Sequence, residues 1–90
     1  MLKILEDLIL LARDRRQNPV GDSYTNQLLE NKTLIKDKIL EEINELIEAV
    51  ETDTNKVHEA ADVFYHLLIY LESNNIKIED IMLELERRKK

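Results

Sequence analysis

Residues 34–50 read Leu34-Ile35-Lys36-Asp37-Lys38-Ile39-Leu40-Glu41-Glu42-Ile43-Asn44-Glu45-Leu46-Ile47-Glu48-Ala49-Val50. Ile35, Ile39, Ile43, Leu46, Ile47 and Val50 recur at spacings of three and four, the signature of one helix face rather than of a strand. A long helix is therefore expected from about Leu34 to Val50. Glu41, Glu42, Glu45 and Glu48 fall on the flank and rear of its apolar stripe.

The pattern extends in both directions. Leu5, Leu8, Ile9 and Ala12 make a helical stripe within Leu2–Arg16. Gln17-Asn18-Pro19-Val20-Gly21-Asp22 is the clearest loop. Ser23 or Thr25 can cap the next helical segment, with Leu28 and Leu29 as anchors. Asn31-Lys32-Thr33 is a weaker break. Thr52-Asp53-Thr54-Asn55 is rich in turn formers and separates the long helix from another at about Lys56–Glu72. Ser73-Asn74-Asn75 stops that one, and a last helix runs from about Ile78 to Lys89 with Ile81, Met82 and Leu85 as its apolar positions. Only the short Ile76-Lys77-Ile78 has any strand character. The reading is an all-α bundle of four to five helices in a single domain, residues 1–90.

Composition narrows the function classes. With no Cys there is neither a disulfide framework nor a thiolate zinc site. The net charge is −6 and no basic stripe is present, which argues against nucleic acid as a partner. The apolar runs are too short to span a membrane, and Met1-Leu2-Lys3-Ile4-Leu5-Glu6-Asp7 lacks a signal-peptide layout. A cytoplasmic location is expected. Arg87-Arg88-Lys89-Lys90 reads as a helix C-terminus that complements the helix dipole. A chain of 90 residues buries a limited share of its surface. A homodimer is expected, in which two central helices of each copy pack across a two-fold axis.

The chemistry lies in Glu41-Glu42-Ile43-Asn44-Glu45 and Glu59-Ala60-Ala61-Asp62. A three-residue spacing puts two carboxylates on one helix face, and two such helices side by side would aim four into one cleft. Most helical glutamates are simply solvated. Three features argue otherwise here. From Ile39 through Asp53 there is no Lys or Arg, whereas Glu41, Glu42, Glu45, Glu48, Glu51 and Asp53 are acidic. Asp62, a poor helix former, precedes the apolar run Val63–Leu71. Ala60 and Ala61 beside it permit close approach. A carboxylate in such a place needs a partner, and clustered oxygens favour Mg²⁺ or Mn²⁺.

These segments are similar to those of a known family. Gly21-Asp22-Ser23-Tyr24-Thr25-Asn26-Gln27-Leu28-Leu29 resembles the Gly-Ser-Tyr-Thr segment of phosphoribosyl-ATP pyrophosphohydrolases, with one residue inserted. Lys38-Ile39-Leu40-Glu41-Glu42-Ile43-Asn44-Glu45 resembles their Lys-Val-Gly-Glu-Glu-x-x-Glu, with Leu40 in place of Gly. Glu59-Ala60-Ala61-Asp62-Val63-Phe64-Tyr65-His66-Leu67-Leu68 resembles their Glu-Ala-Ala-Asp-Leu-x-Tyr-His-Leu-Leu, and Ile76-Lys77-Ile78-Glu79-Asp80-Ile81 the entry to their last helix. The family belongs to the all-α NTP pyrophosphatases, with the MazG proteins and dimeric dUTPases.

The resemblance implies a MazG-like bundle that dimerises through its central helices, with substrate clefts at the interface. It implies Mg²⁺-dependent hydrolysis of phosphoribosyl-ATP to phosphoribosyl-AMP and pyrophosphate in histidine biosynthesis, without the companion cyclohydrolase domain. Glu42, Glu45, Glu59 and Asp62 would hold the metal, and Glu41 with Glu42 would serve catalysis, Glu41 by orienting or deprotonating water. Tyr24, Thr25, Lys38 and His66 would face substrate. A lone His among apolar residues is commonly structural, so His66 carries both readings. Tyr65 and Tyr70 read as core or interface. Lys32, Arg13 and Arg16 are further candidates for phosphate contacts. The helical wheel also permits Glu48 as a ligand.

Two alternatives stand beside this reading. One is a house-cleaning nucleotide pyrophosphatase of the MazG or dUTPase type, with the same metal chemistry and another base pocket. The other is a non-catalytic helical interaction module. A di-iron bundle is set aside because neither His58 nor His66 follows a Glu at three residues.

Overall fold

A computed structural model of the chain describes residues 1–89. It is all-helical, and no strand occurs among the described residues. The helices are α1 (Lys3–Gln17), α2 (Tyr24–Glu30), α3 (Lys32–Thr52), α4 (Lys56–Ser73) and α5 (Ile78–Arg88).

Each boundary has a local cause. Ser23 Oγ accepts from the Asn26 amide and caps α2, as expected. Asn31 alone makes the next break. It closes α2, and its Oδ1 accepts from the Leu34 amide at 3.0 Å. This starts α3 at Lys32, two residues before the expected Leu34. α3 ends at Asp53, which takes the left-handed conformation at φ 55°, and Asn55 does the same at φ 46°. Asp and Asn tolerate this region better than other non-glycine residues, so the α3–α4 turn needs no glycine. Asn75 at φ 58° closes α4 in the same way.

The helical hairpin of α3 and α4 is the body of the molecule. α1 packs on α4, and α2 lies among α1, α3 and α4. Ala12, Leu28, Ile35 and Ile69 form the buried core, flanked by Leu29, Leu34, Ile39, Tyr65 and Tyr70. Asn26 is buried too, and its side chain accepts from the Val20 amide and donates to the Arg15 carbonyl. It fastens the loop between α1 and α2.

α3 buries the start of the expected apolar stripe, at Ile35 with Ile39 packed on the core, and departs from it farther along. Its buried residues are Ile35, Glu42 and Ala49, seven apart, along the seam with α4. Ile43, Ile47 and Val50 remain exposed, the last at 58%. The stripe is real, but it wraps away from α4 and leaves a second apolar face on the hairpin. Phe64 and Leu67 of α4 are exposed as well. An ordinary 90-residue domain has a radius of gyration of about 12 Å; here it is 14.2 Å. No helix among the described residues is long and apolar enough to cross a membrane.

α5 is peripheral and contributes no buried residue. Arg13 of α1 holds its first turn through a two-pronged pair with Glu79, at 3.0 and 2.5 Å. Arg13 also approaches the buried Glu72 at 3.6 Å, and Arg16 binds Glu72 at 3.1 Å. Both arginines read as phosphate contacts in the sequence are thus committed to carboxylates of the chain.

Candidate metal centre

The seam between α3 and α4 brings the acid motifs together. A ligand atom from each of Glu42, Glu45 and Glu59 lies within 4.8 Å of the others. A second set, His58, Glu59 and Asp62, meets the same limit. The expected quartet is therefore two overlapping triads that share Glu59. Asp62 turns toward His58, one helical turn earlier, with 3.4 Å between Nε2 and Oδ2.

The electrostatics are those of a site lacking counter-charge. Glu42 is only 8% exposed. Burial raises its pKa above the usual carboxylate range, and the Glu45 charge adds to this, while His66 opposes it. Burial likewise raises the pKa of Glu59, aided by its contact with Glu45. The Oε2 atoms of Glu42 and Glu59 are buried with no hydrogen-bond partner. A buried, unsatisfied carboxylate oxygen is costly. Two of them facing a third carboxylate make a donor set suited to a hard divalent cation. The residues present therefore fit Mg²⁺ or Mn²⁺.

Glu48 lines a cleft with Glu45, Ala49, Thr52, Thr54, Asn55 and Glu59 at the open end of the seam. Glu41 lies outside both triads. It is exposed and pairs with Lys38 at 3.4 Å, and this contact raises the Lys38 pKa.

The remaining sequence candidates form a latch between α2 and α4. The Asp62 carbonyl can only accept, so His66 Nδ1 donates to it, at 2.7 Å. In the neutral ring, Nε2 then accepts from the Tyr24 hydroxyl at 3.0 Å. Thr25 Oγ1 and the Tyr65 hydroxyl share a hydrogen bond at 2.6 Å. The rings of Tyr24 and Tyr65 stack at 6.3 Å, and His66 meets both edge-on. Thr25 and His66 are buried. Tyr24 is 43% exposed, the open member of the group. Tyr24 lies near Lys38, Glu42 and Glu41, and burial raises its pKa.

The sequence reading did not place His58 beside Glu59 and Asp62, where the structure brings it. Its signal was present, since His58 and Asp62 are four apart and share a helix face.

Comparison with known proteins identifies the chain's relatives. The family model described as phosphoribosyl-ATP pyrophosphohydrolase matches residues 5–89. A phosphoribosyl-ATP pyrophosphatase of Clostridium acetobutylicum is 42% identical over 89 residues, covering 96% of this chain and 81% of that protein. One from Bacillus mycoides is 38% identical, covering 98% of this chain and 85% of its own length. The histidine biosynthesis bifunctional protein HisIE of Caldanaerobacter subterraneus is 40% identical over 92 residues, and the chain spans 45% of it.

Proposed function

The chain belongs to the phosphoribosyl-ATP pyrophosphohydrolase family, and on that premise we propose that it hydrolyses phosphoribosyl-ATP to phosphoribosyl-AMP and pyrophosphate in histidine biosynthesis, at the α3–α4 seam. The single observation that carries the placement is the pair of buried, partnerless oxygens on Glu42 and Glu59. Named relatives that span most of this chain favour this substrate over the other nucleotides of the wider superfamily.

Glu42, Glu45, Glu59 and Asp62 would hold Mg²⁺, with Mn²⁺ as a substitute. When bound, the metal supplies charge neutralisation at the α–β phosphoanhydride and makes water more acidic. The chain's own residues do the rest. Glu41 is exposed at the rim and orients water or takes its proton. Lys38 offers a held cation to phosphate oxygens. Tyr24, its hydroxyl held by His66, presents its exposed ring to the substrate side of the cleft. Thr25, Tyr65 and His66 keep α2 against α4, so that these groups stay over the seam.

The proposed assembly is a homodimer, in which the exposed face of Leu40, Ile43, Ile47, Phe64 and Leu67 packs on its two-fold mate. Leu40, Ile43 and Ile47 recur at helical spacing on α3, and an exposed apolar helix face favours an isologous contact. The proposed location is the cytoplasm, and neither nucleic acid nor a membrane is proposed as a partner.

The test is an assay of phosphoribosyl-ATP with Mg²⁺ and with chelator. Pyrophosphate release that needs the metal supports the reading. Equal release in both arms would overturn the metal assignment, and no release in either would overturn the substrate assignment.

A further inference from the structure

We propose that the open face of Tyr24 is the stacking platform for the substrate's base, and that it selects a purine carrying positive charge over neutral adenine. The inference rests on the proposed reaction and adds what that reading lacks, a means of telling phosphoribosyl-ATP from ATP.

The metal centre cannot make that distinction. ATP carries the same triphosphate, so contacts to a metal and to Lys38 are common to both molecules, and specificity is a difference of affinities. The two differ at the base. Once N1 of adenine carries a ribose, the exocyclic nitrogen holds a proton near neutral pH, and the charge spreads over the purine. The adenine of ATP is uncharged under the same conditions. A flat, delocalised cation is attracted to the face of an aromatic ring.

The chain has four such rings, three Tyr and one Phe. Tyr65 and Tyr70 pack on the buried core, and the exposed Phe64 belongs to the apolar face assigned to the dimer. Tyr24 remains. The plainest account of an exposed tyrosine is a solvated surface ring. Such a ring is free to turn, and Tyr24 is not. Its hydroxyl is held by the buried His66 at 3.0 Å. Tyr65 stacks on it with 15° between the ring planes, and His66 meets it edge-on. His66 is fixed in turn to the Asp62 carbonyl at 2.7 Å. A single imidazole thus ties the ring to the turn of α4 that bears a candidate metal ligand. A platform fixed beforehand spares the ligand the cost of ordering it.

The charge around the platform also favours a cation. Glu41 and Glu42 lie near Tyr24. The cation beside them, Lys38, is paired with Glu41 at 3.4 Å. From Ile39 through Asp53 the chain has no Lys or Arg. A neutral base gains stacking alone. A cationic base gains stacking, the pull of the ring's electron-rich face and the field of these acids.

The experiment is calorimetric titration of the full chain, in buffer with Mg²⁺, with three nucleoside monophosphates. The purine of 1-methyl-AMP is cationic, 1-methyl-IMP has the same methyl group on a neutral purine, and AMP lacks the methyl group. The wild type is expected to bind 1-methyl-AMP roughly threefold to thirtyfold more tightly than either neutral probe. Tyr24→Phe keeps the ring and should keep the preference, whereas Tyr24→Leu should bind all three alike. Circular dichroism checks that both variants fold. In labelled wild-type protein 1-methyl-AMP should shift the ring signals of Tyr24 and spare those of Tyr70, a readout that needs no variant. Equal affinity of the wild type for 1-methyl-AMP and 1-methyl-IMP, or binding of neither, would overturn the platform. So would a preference that survives in Tyr24→Leu or disappears from Tyr24→Phe. Hydrolysis of phosphoribosyl-ATP by the wild type is measured alongside. Absent turnover counts against the reaction, and turnover with equal probe affinities counts against Tyr24 alone.

Discussion

Glu42 and Glu59, on facing helices, each bury a carboxylate oxygen that meets no proton donor. Folding has therefore gathered charge at the α3–α4 seam that hydrophobic packing elsewhere must offset. Such strain is the usual cost of a site built for a ligand.

Removing that charge should separate function from stability. Glu42→Gln and Asp62→Asn are expected to lower turnover of phosphoribosyl-ATP by roughly 100-fold or more, as loss of a metal's ligand does to a reaction that depends on it. Helix content by circular dichroism should be unchanged. Full activity in either variant would sink the site assignment.

The same carboxylates set a pH dependence in metal-free protein. The pKa values of Glu42 and Glu59 are raised in the folded chain. The folded state thus binds more protons than the unfolded one above the ordinary carboxylate range, and stability falls as pH rises through the raised values. Melting in chelator should occur at a higher temperature near pH 5 than near pH 8, with Mg²⁺ narrowing the gap. Glu42→Gln should flatten the slope and raise the metal-free melting temperature at pH 8, by about 4–8 °C for each 1 kcal/mol relieved. A wild-type melting temperature that climbs from pH 5 to 8 in chelator contradicts the sign.

The latch has a cost that differs from that of the metal centre. Tyr65→Phe leaves the buried Thr25 hydroxyl without its partner, so a loss of about 1–3 kcal/mol is expected. Denaturant titration measures it. Thr25→Val in the Tyr65→Phe background should recover part of the loss, because both polar groups are then gone. No recovery would mean that the pair is not what holds α2 to α4.

Charge placed on the exposed hairpin face tests the assembly. Ile47→Lys or Phe64→Lys leaves the buried core untouched, since both side chains are exposed in the single chain. Light scattering should report a dimer for the wild type and a monomer for the variants. A wild-type monomer at micromolar concentration with full activity would remove the dimer and confine the cleft to a single chain.

The fold and the site were legible in the sequence only as far as local signals reach. Helix number and the α3–α4 turn came from periodicity and from Asp53 and Asn55, because these are local properties. The partner of a face is not local. Ile35, Ile43, Ile47 and Val50 read as one apolar stripe, yet only Ile35 of these is buried, while α3 also buries Glu42 and Ala49. Asn26 gave no warning that it would bridge Val20 and Arg15, since an amide's partners depend on a loop whose path the sequence does not state. Arg13 and Arg16 looked free for phosphate until α4 and α5 supplied Glu72 and Glu79. The acid motifs were readable as chemistry, but their division into two triads depends on which carboxylates the packed side chains turn toward one another.

The brevity of the α3–α4 turn also bears on how the chain folds. Every carboxylate of the two triads lies between residues 42 and 62, on helices joined by Asp53, Thr54 and Asn55. Closing so short a loop costs little entropy, and local contacts form early. The hairpin is thus a natural nucleus, while α1 and α2 add contacts of longer range. A cation could engage its ligands before the bundle is complete. Mg²⁺ would then accelerate refolding itself, whereas a centre completed only after the rate-limiting step would let Mg²⁺ do no more than slow unfolding.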